Sequence, residues 1–271
     1  DVGGLKTCTA LPNYAIDQID PFLLLNHHGP QEYPPNNNGL PFGPHPHRGI
    51  ETVTFIIDGD VVHKDSEGHE SVIGPDGVQW MTAGSGLLHS EVSSKAFKEK
   101  GGNIEILQLW INIPADRKMI KPTYKGFQRE DIPTFRPKEG MKIDLIAGQW
   151  DSGHQGVIDP LIDLTLCRID FKAGANLEYN VPLDHNILFY VIKGSLMVND
   201  QQITTNQIAE FANDENALSI AAEEDSIVLF GHALPINEPV VAKGPFVMNT
   251  EEEIQQAYAD FNQGKMGVWN H

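Results

Sequence analysis

Apolar positions along this chain come in short runs rather than at helical spacing. ETVTFIID (51–58), GNIEILQLWINI (102–113), KIDLIAG (142–148), LIDLTLCRIDF (161–171), NILFYVIKGSLMVN (186–199) and SIVLFGHAL (226–234) are rich in Val, Ile, Phe and Thr. Each is bounded by Gly, Asp, Asn or Pro, which is the signature of strands closed by turns. Many such runs at short spacing predict an all-β fold, a sandwich or barrel, over alternating βαβ units. One helix is predicted, in TEEEIQQAYADFNQG (250–264). Thr250 and Glu253 have the spacing of a capping box, and Gly264 supplies a stop. Ile254, Ala257, Tyr258 and Phe261 give that helix one apolar face for packing.

The pattern also repeats. TVTFIIDGDVVHKD (52–65) resembles ILFYVIKGSLMVND (187–200), each reading as strand, tight turn at glycine, strand. This predicts two related β-domains in tandem. The boundary is expected within 114–140, rich in Pro, Lys and Gly and poor in periodic apolar residues. The domains are therefore placed at 1–130 and 131–271, the second including the helix. The turn-rich stretch 29–44 reads as a loop laid over something.

Composition narrows the function classes. A formal charge of −18 and a pI near 4.9 repel phosphate backbones, so direct binding of nucleic acid is not expected. Two cysteines, Cys8 and Cys167, form no CxxC and no disulfide framework. That usage fits a reducing compartment, and a cytoplasmic location is expected, or a nuclear one in a eukaryote. No run is long and apolar enough to span a membrane. The opening DVGGLKT shows no charged n-region before an apolar stretch, so no signal peptide is visible in it; it also lacks an initiator Met, which leaves a removed leader open.

Candidate chemistry gathers in two places, PHPHRG (44–49) and WMTAGSGLLHSE (80–91). Residues two apart on a strand share a face. His45 and His47 can therefore point inward together, as can His89 and Glu91. Three imidazoles and a carboxylate suit Fe, Mn, Ni, Cu or Zn rather than Ca or Mg, and four protein ligands on an octahedral ion leave two positions open. The plainer reading is a polar loop capped by His45 and His47, with Glu91 solvated. HxH before a strand, followed by a Gly-rich HxE, favours the metal.

Several stretches together resemble the pirin family of the cupin superfamily. They are DPFLLLNHHGP (20–30), PHPHRGIETVTFIIDG (44–59), HKDSEG (63–68), IGPDGVQWMTAGSGLLHSE (73–91), RKMIKPTY (117–124) and GPFVMNTEEEI (244–254). The resemblance implies a bicupin: two antiparallel, jelly-roll-like β-barrel cupin domains packed face to face, braced by the C-terminal helix. It implies one metal ion, usually iron as Fe(II), in the N-terminal cupin, held by His45, His47, His89 and Glu91. It implies quercetin 2,3-dioxygenase activity on a flavonol-like aromatic substrate with O2; Glu91 is then the candidate to take the substrate's hydroxyl proton, because a carboxylate bound through one oxygen keeps the other free. The alternative it implies is a non-catalytic iron protein acting as a redox-sensitive partner of a transcription factor or metabolic enzyme. A monomer is expected, and no NAD or flavin is called for: no GxGxxG loop follows a strand.

The second domain has no HxH and no later HxE, so it is expected to lack metal, with His185 and His232 structural. Phe42 and Trp80 are candidates to line a pocket for a flat ligand, whereas Phe55 reads as core. His63 is a candidate to orient a ligand histidine from behind. Arg48 and Cys167 read as structural, and His27 and His28 have no partner at ligand spacing. Two departures from the family pattern border the site, KTCTALPNYAIDQID (6–20) and the long stretch before the histidines (34–44), and they bear on substrate choice rather than fold.

Overall fold

The computed structural model describes residues 1–151, 153–212 and 216–269. The first half of the chain forms β1 (Thr7–Leu11), β2 (Phe22–Tyr33), β3 (Phe42–His47), β4 (Ile50–Asp58) and β5 (Val61–Asp65). Then come β6 (Glu70–Ile73), β7 (Val78–Thr82), β8 (Leu87–Val92), the short helix α1 (Lys95–Lys100), β9 (Gly102–Asn112) and β10 (Thr123–Phe127). The second half begins with β11 (Thr134–Phe135), β12 (Met141–Ala147), β13 (Gln149–Asp151), β14 (His154–Gln155), β15 (Leu164–Phe171) and β16 (Asn176–Asn180). It continues through β17 (Asn186–Lys193), β18 (Ser195–Val198), β19 (Gln201–Thr204), β20 (Ile208–Ala209), β21 (Ala217–Ala222) and β22 (Ser226–Ala233). The hairpin β23 (Val241–Lys243) and β24 (Phe246–Met248) leads into α2 (Glu251–Asn262).

These strands make two barrels of the same plan, as the all-β reading requires. In the first, a six-stranded sheet β1-β2-β9-β4-β7-β10 accompanies a four-stranded sheet β3-β8-β5-β6. In the second, β11-β12-β15-β22-β17-β20 accompanies β16-β21-β18-β19. The consecutive strands β4 to β9 and β17 to β22 occupy matching places, so the repeat seen in the sequence is a repeat of topology. The ladders β12·β15, β15·β22, β17·β22, β3·β8 and β4·β9 are antiparallel.

By contacts the chain divides into two compact units, Asp1–Thr9 with Leu23–Arg129 and Ile236–His271, and Ala10–Phe22 with Glu130–Pro235. By contacts helix α2 falls in the first of these units, with the N-terminal barrel. The cause is its apolar face. Ile254 and Ala257 pack with Phe246, Met248 and Met266, and Leu88 of β8 lies against the same cluster. Arg48 Nη1 then donates to Asp260 Oδ2 at 2.9 Å. The predicted capping box is present: Glu253 N–H donates to Thr250 Oγ1, and Thr250 N–H to Glu253 Oε2. Among the described residues no helix is long and apolar enough to cross a membrane.

Candidate metal centre

The site is built where β3 meets β8. His45 lies directly opposite His89 in the antiparallel register, and Pro46 opposite Leu88. Gly49 turns the chain from β3 into β4 at φ 80, and a side chain there would strike the Val247 carbonyl. Only glycine serves at that point. Lys118, buried, fastens the same corner by donating from Nζ to Gly49 O, Asn112 Oδ1 and Val247 O. Burial lowers its pKa to about 8. The sequence reading passed over this lysine, because it falls in the polar stretch taken as a boundary.

The ligand-capable nitrogens of His45, His47 and His89 all lie within 4.8 Å of one another. His45 Nε2 and His89 Nε2 are 3.0 Å apart. Two imidazole nitrogens on one ion, each bonded at about 2.0–2.1 Å, stand about 3 Å apart when they are at right angles. Hydrogen bonds on the far side of two rings set their direction. Nδ1–H of His45 donates to Gly43 O at 2.7 Å, and Nδ1–H of His47 to Pro245 O at 3.1 Å. Both rings thus keep the Nε2 lone pair for the centre, the arrangement by which metal-binding histidines are usually oriented. Burial, then the neighbouring His45, lowers the His47 pKa to about 3, and burial does the same in direction for His89. Buried this way, His47 and His89 are neutral, the form that binds metal. The donor set fits a first-row transition ion.

Glu91 is not in this group. Its carboxylate is engaged by a row of three side chains on neighbouring strands. Thr54 lies opposite Gln79 on one side and Gln108 on the other. Thr54 Oγ1 and Gln79 Nε2 both donate to Glu91 Oε1, the former at 2.7 Å, and Gln108 Nε2 donates to Oε2 at 2.7 Å. A carboxylate has about four acceptor positions, so Oε2 keeps one lone pair uncommitted. The sequence did not single out Thr54, Gln79 or Gln108. The signal was there in part: three polar residues on strands whose neighbours are apolar.

His63 lies opposite Glu91 on β5 and is buried, so it is no surface histidine. Its ring stacks on Tyr124 with centroids 3.8 Å apart, and it stands 5.5 Å from the His89 ring. Its Nε2 pairs with Asp65 Oδ2 at 3.1 Å, while its Nδ1 has no partner. It is thus a ring packed behind His89, not bonded to it.

The pocket candidates divide. Trp80 is a correction. Strand alternation that aims Gln79 at Glu91 turns Trp80 to the opposite face of β7, beside Val53, with Glu51 as its hydrogen-bond partner. It cannot line a cavity at the histidines. Trp110, which sequence reading overlooked, stands against His47 with ring centroids 5.1 Å apart. Phe42 lies opposite Glu91 in register but packs on the His28 ring and on the cluster of Leu40, Ile56 and Ile106. Phe55 is core, as expected. Arg48 is structural: besides Asp260 it donates from Nε to Ser85 O, holding the turn at Gly84.

Comparison with known proteins bears on this arrangement. The pirin family profile matches residues 4–111, and the profile of the pirin C-terminal cupin domain matches residues 166–267. A Pseudomonas aeruginosa protein provisionally named a quercetin 2,3-dioxygenase is 40% identical over 248 residues, 91% of this chain and 86% of its own. A pirin-like protein of Caulobacter vibrioides is 34% identical, over 98% of this chain and 94% of its own. Among solved structures, a quercetin 2,3-dioxygenase from Acinetobacter baumannii superposes with a TM-score of 0.90 at 36% identity, covering 97% of this chain and 92% of the other.

Proposed function

The chain belongs to the pirin family, a family of bicupins, and on that premise we propose that it is a metal-dependent dioxygenase acting on a flavonol-like substrate with O2. The observation that carries the reading is the convergence of His45, His47 and His89, with the far nitrogens of His45 and His47 held by backbone carbonyls. These three residues would hold the ion through Nε2, and the one uncommitted lone pair of Glu91 Oε2, on the same strand face, is open to the ion in the absence of substrate and to the substrate's proton in its presence. Iron is the first candidate. When bound, such an ion acidifies a coordinated hydroxyl and gives electrons a route to oxygen.

The chain's own residues do the rest. Glu91 accepts the proton of the substrate's hydroxyl at Oε2, since Oε1 is already taken by two donors. Gln108, Thr54 and Gln79 fix that carboxylate against rotation, so its reach toward the histidines is set by three strands rather than by one rotamer. His45, the least buried of the three histidines, marks the side from which substrate arrives. Trp110 supplies a flat wall beside His47.

The test is oxygen uptake with quercetin, by protein loaded anaerobically with Fe(II) and assayed for metal on the same sample. Uptake is expected in proportion to iron and is expected to vanish with the metal in His89→Ala. In Glu91→Gln the iron should largely stay while turnover falls by about 10²-fold or more, the usual worth of a positioned base. Full iron with no uptake would overturn the dioxygenase and favour a metal-bearing partner protein; undiminished turnover in Glu91→Gln would overturn the role of Glu91.

A further inference from the structure

The C-terminal barrel lacks HxH, yet it brings two histidines together from positions 47 residues apart. His185 sits at the entry to β17 and His232 near the end of β22. Their Nδ1 atoms are 2.9 Å apart, nearly the same separation as between His45 Nε2 and His89 Nε2. That spacing is again what two imidazoles on one ion at about 2.0–2.1 Å require at right angles. The far nitrogen of each ring faces an oxygen. Tyr179 Oη stands 3.2 Å from His232 Nε2, and Asp163 Oδ2 stands 3.6 Å from His185 Nε2. Metal-ligating histidines nearly always carry such an oxygen behind them.

The place is also not arbitrary. Thr52 in the first barrel lies opposite Trp110. Ile187, its counterpart in the repeat, lies opposite His232. So a histidine occupies the position from which Trp110 flanks the first centre. Tyr179 lies on β16, the counterpart of the strand that carries His45 and His47. His185, His232 and Tyr179 line a cavity of about 510 Å³, enough for water or a small oxygen-donor ligand.

We propose that this is a second metal site, for a divalent first-row transition ion held by His185 Nδ1 and His232 Nδ1. The hydrogen-bond roles close in both states. Without metal, His232 Nδ1–H donates to His185 Nδ1, and Tyr179 O–H donates to His232 Nε2. With metal on both Nδ1 atoms, each proton resides on Nε2. His232 Nε2–H then donates to Tyr179 Oη, whose own proton turns to Trp150 O at 3.5 Å. His185 Nε2–H points to Asp163. Loading is therefore a change of tautomer at His232 and releases no proton. Burial, then His185, lowers the His232 pKa to about 4, so this ligand is neutral at pH 7. With two protein ligands rather than three or more, the site is expected to bind more weakly than the N-terminal centre.

The test is a titration of the chelator-stripped full chain with Co²⁺ alone, under argon, followed by calorimetry and by the cobalt absorption bands. Two equivalents are expected in the wild type. The weaker one should disappear in His185→Asn and in His232→Asn and persist in His89→Ala, which removes the stronger one. Tyr179→Phe should weaken it by about 10-fold or more while the first equivalent is unmoved. Anomalous scattering from a cobalt-soaked wild-type crystal, with density between the two Nδ1 atoms, serves if a variant fails to fold. A single equivalent in the wild type, or a second that survives both asparagine variants, overturns the proposal. Neither result touches the first centre, which His89→Ala reads separately.

Discussion

The two barrels run the same strands in the same order and differ in what fills them. In the first, the row Gln108–Thr54–Gln79 crosses three strands and closes on Glu91. In the second, the matching row is Phe230–Phe189–Ala209, all buried in one large apolar cluster. The strands that bear HPH and HSE in the first are NLEYN and ALSIAA in the second. Topology here is specified by alternation and turns, which the halves share. Chemistry is specified by a few inward positions, which they do not. A buried polar row is tolerated only when every member is bonded, and Glu91 is what satisfies this one.

The comparison can be broken first in the second barrel. Phe189→Ala should cost about 3–5 kcal/mol in urea unfolding, as removal of a fully buried ring does, and leave metal at the first centre unchanged. A cost below about 1 kcal/mol would mean that the apolar row is not what holds that barrel. In the first barrel, Glu91→Leu strands the buried donors of Thr54 and Gln79 and the half-buried one of Gln108, and should cost about 3 kcal/mol. Adding Gln79→Leu and Gln108→Leu should then recover part of the loss, because an apolar row is what the second barrel uses at the same place. No recovery would show that the two rows are not interchangeable.

The smallest effect sharpens the repeat itself. Asp65 and Asp200 align in it, but Asp200 is exposed in a turn, whereas Asp65 is buried beneath His63 and His69. Burial raises the Asp65 pKa, and hydrogen bonds from His63 and His69 outweigh it, bringing it to about 2. The folded value lies below the ordinary 3.8, so Asp65 contributes stability above about pH 4 and loses it as pH falls toward 2. Asp65→Asn should therefore lower the melting temperature at pH 7 and flatten its fall on acidification, while Asp200→Asn changes neither. Equal curves for the two variants would contradict this.

Much of this was legible in the chain. Short runs of Val, Ile, Phe and Thr closed by Gly, Asp, Asn or Pro marked the strands, the 52–65 and 187–200 echo marked the tandem plan, and Thr250 with Glu253 marked the start of α2. HPH and HSE pointed to the centre, because pairs two apart must share a strand face. What was not legible depended on register. Trp80 and Gln79 had to face opposite ways, but only pairing with β4 decides which one meets Glu91. His185 and His232 are brought together by β17 and β22, which no local pattern records. Lys118 sits in a polar stretch, and only its three oxygens at one corner reveal it as a buried strut. The placement of α2 followed from Phe246 and Met248.

The measurement that meets the central claim most directly is an anomalous difference map at the iron edge, from crystals of protein purified with its own metal. The account predicts its strongest peak among Nε2 of His45, His47 and His89, with a Glu91 oxygen beside it, and no peak there in His89→Ala. A strongest peak elsewhere, or one at these histidines that persists in that variant, would contradict it.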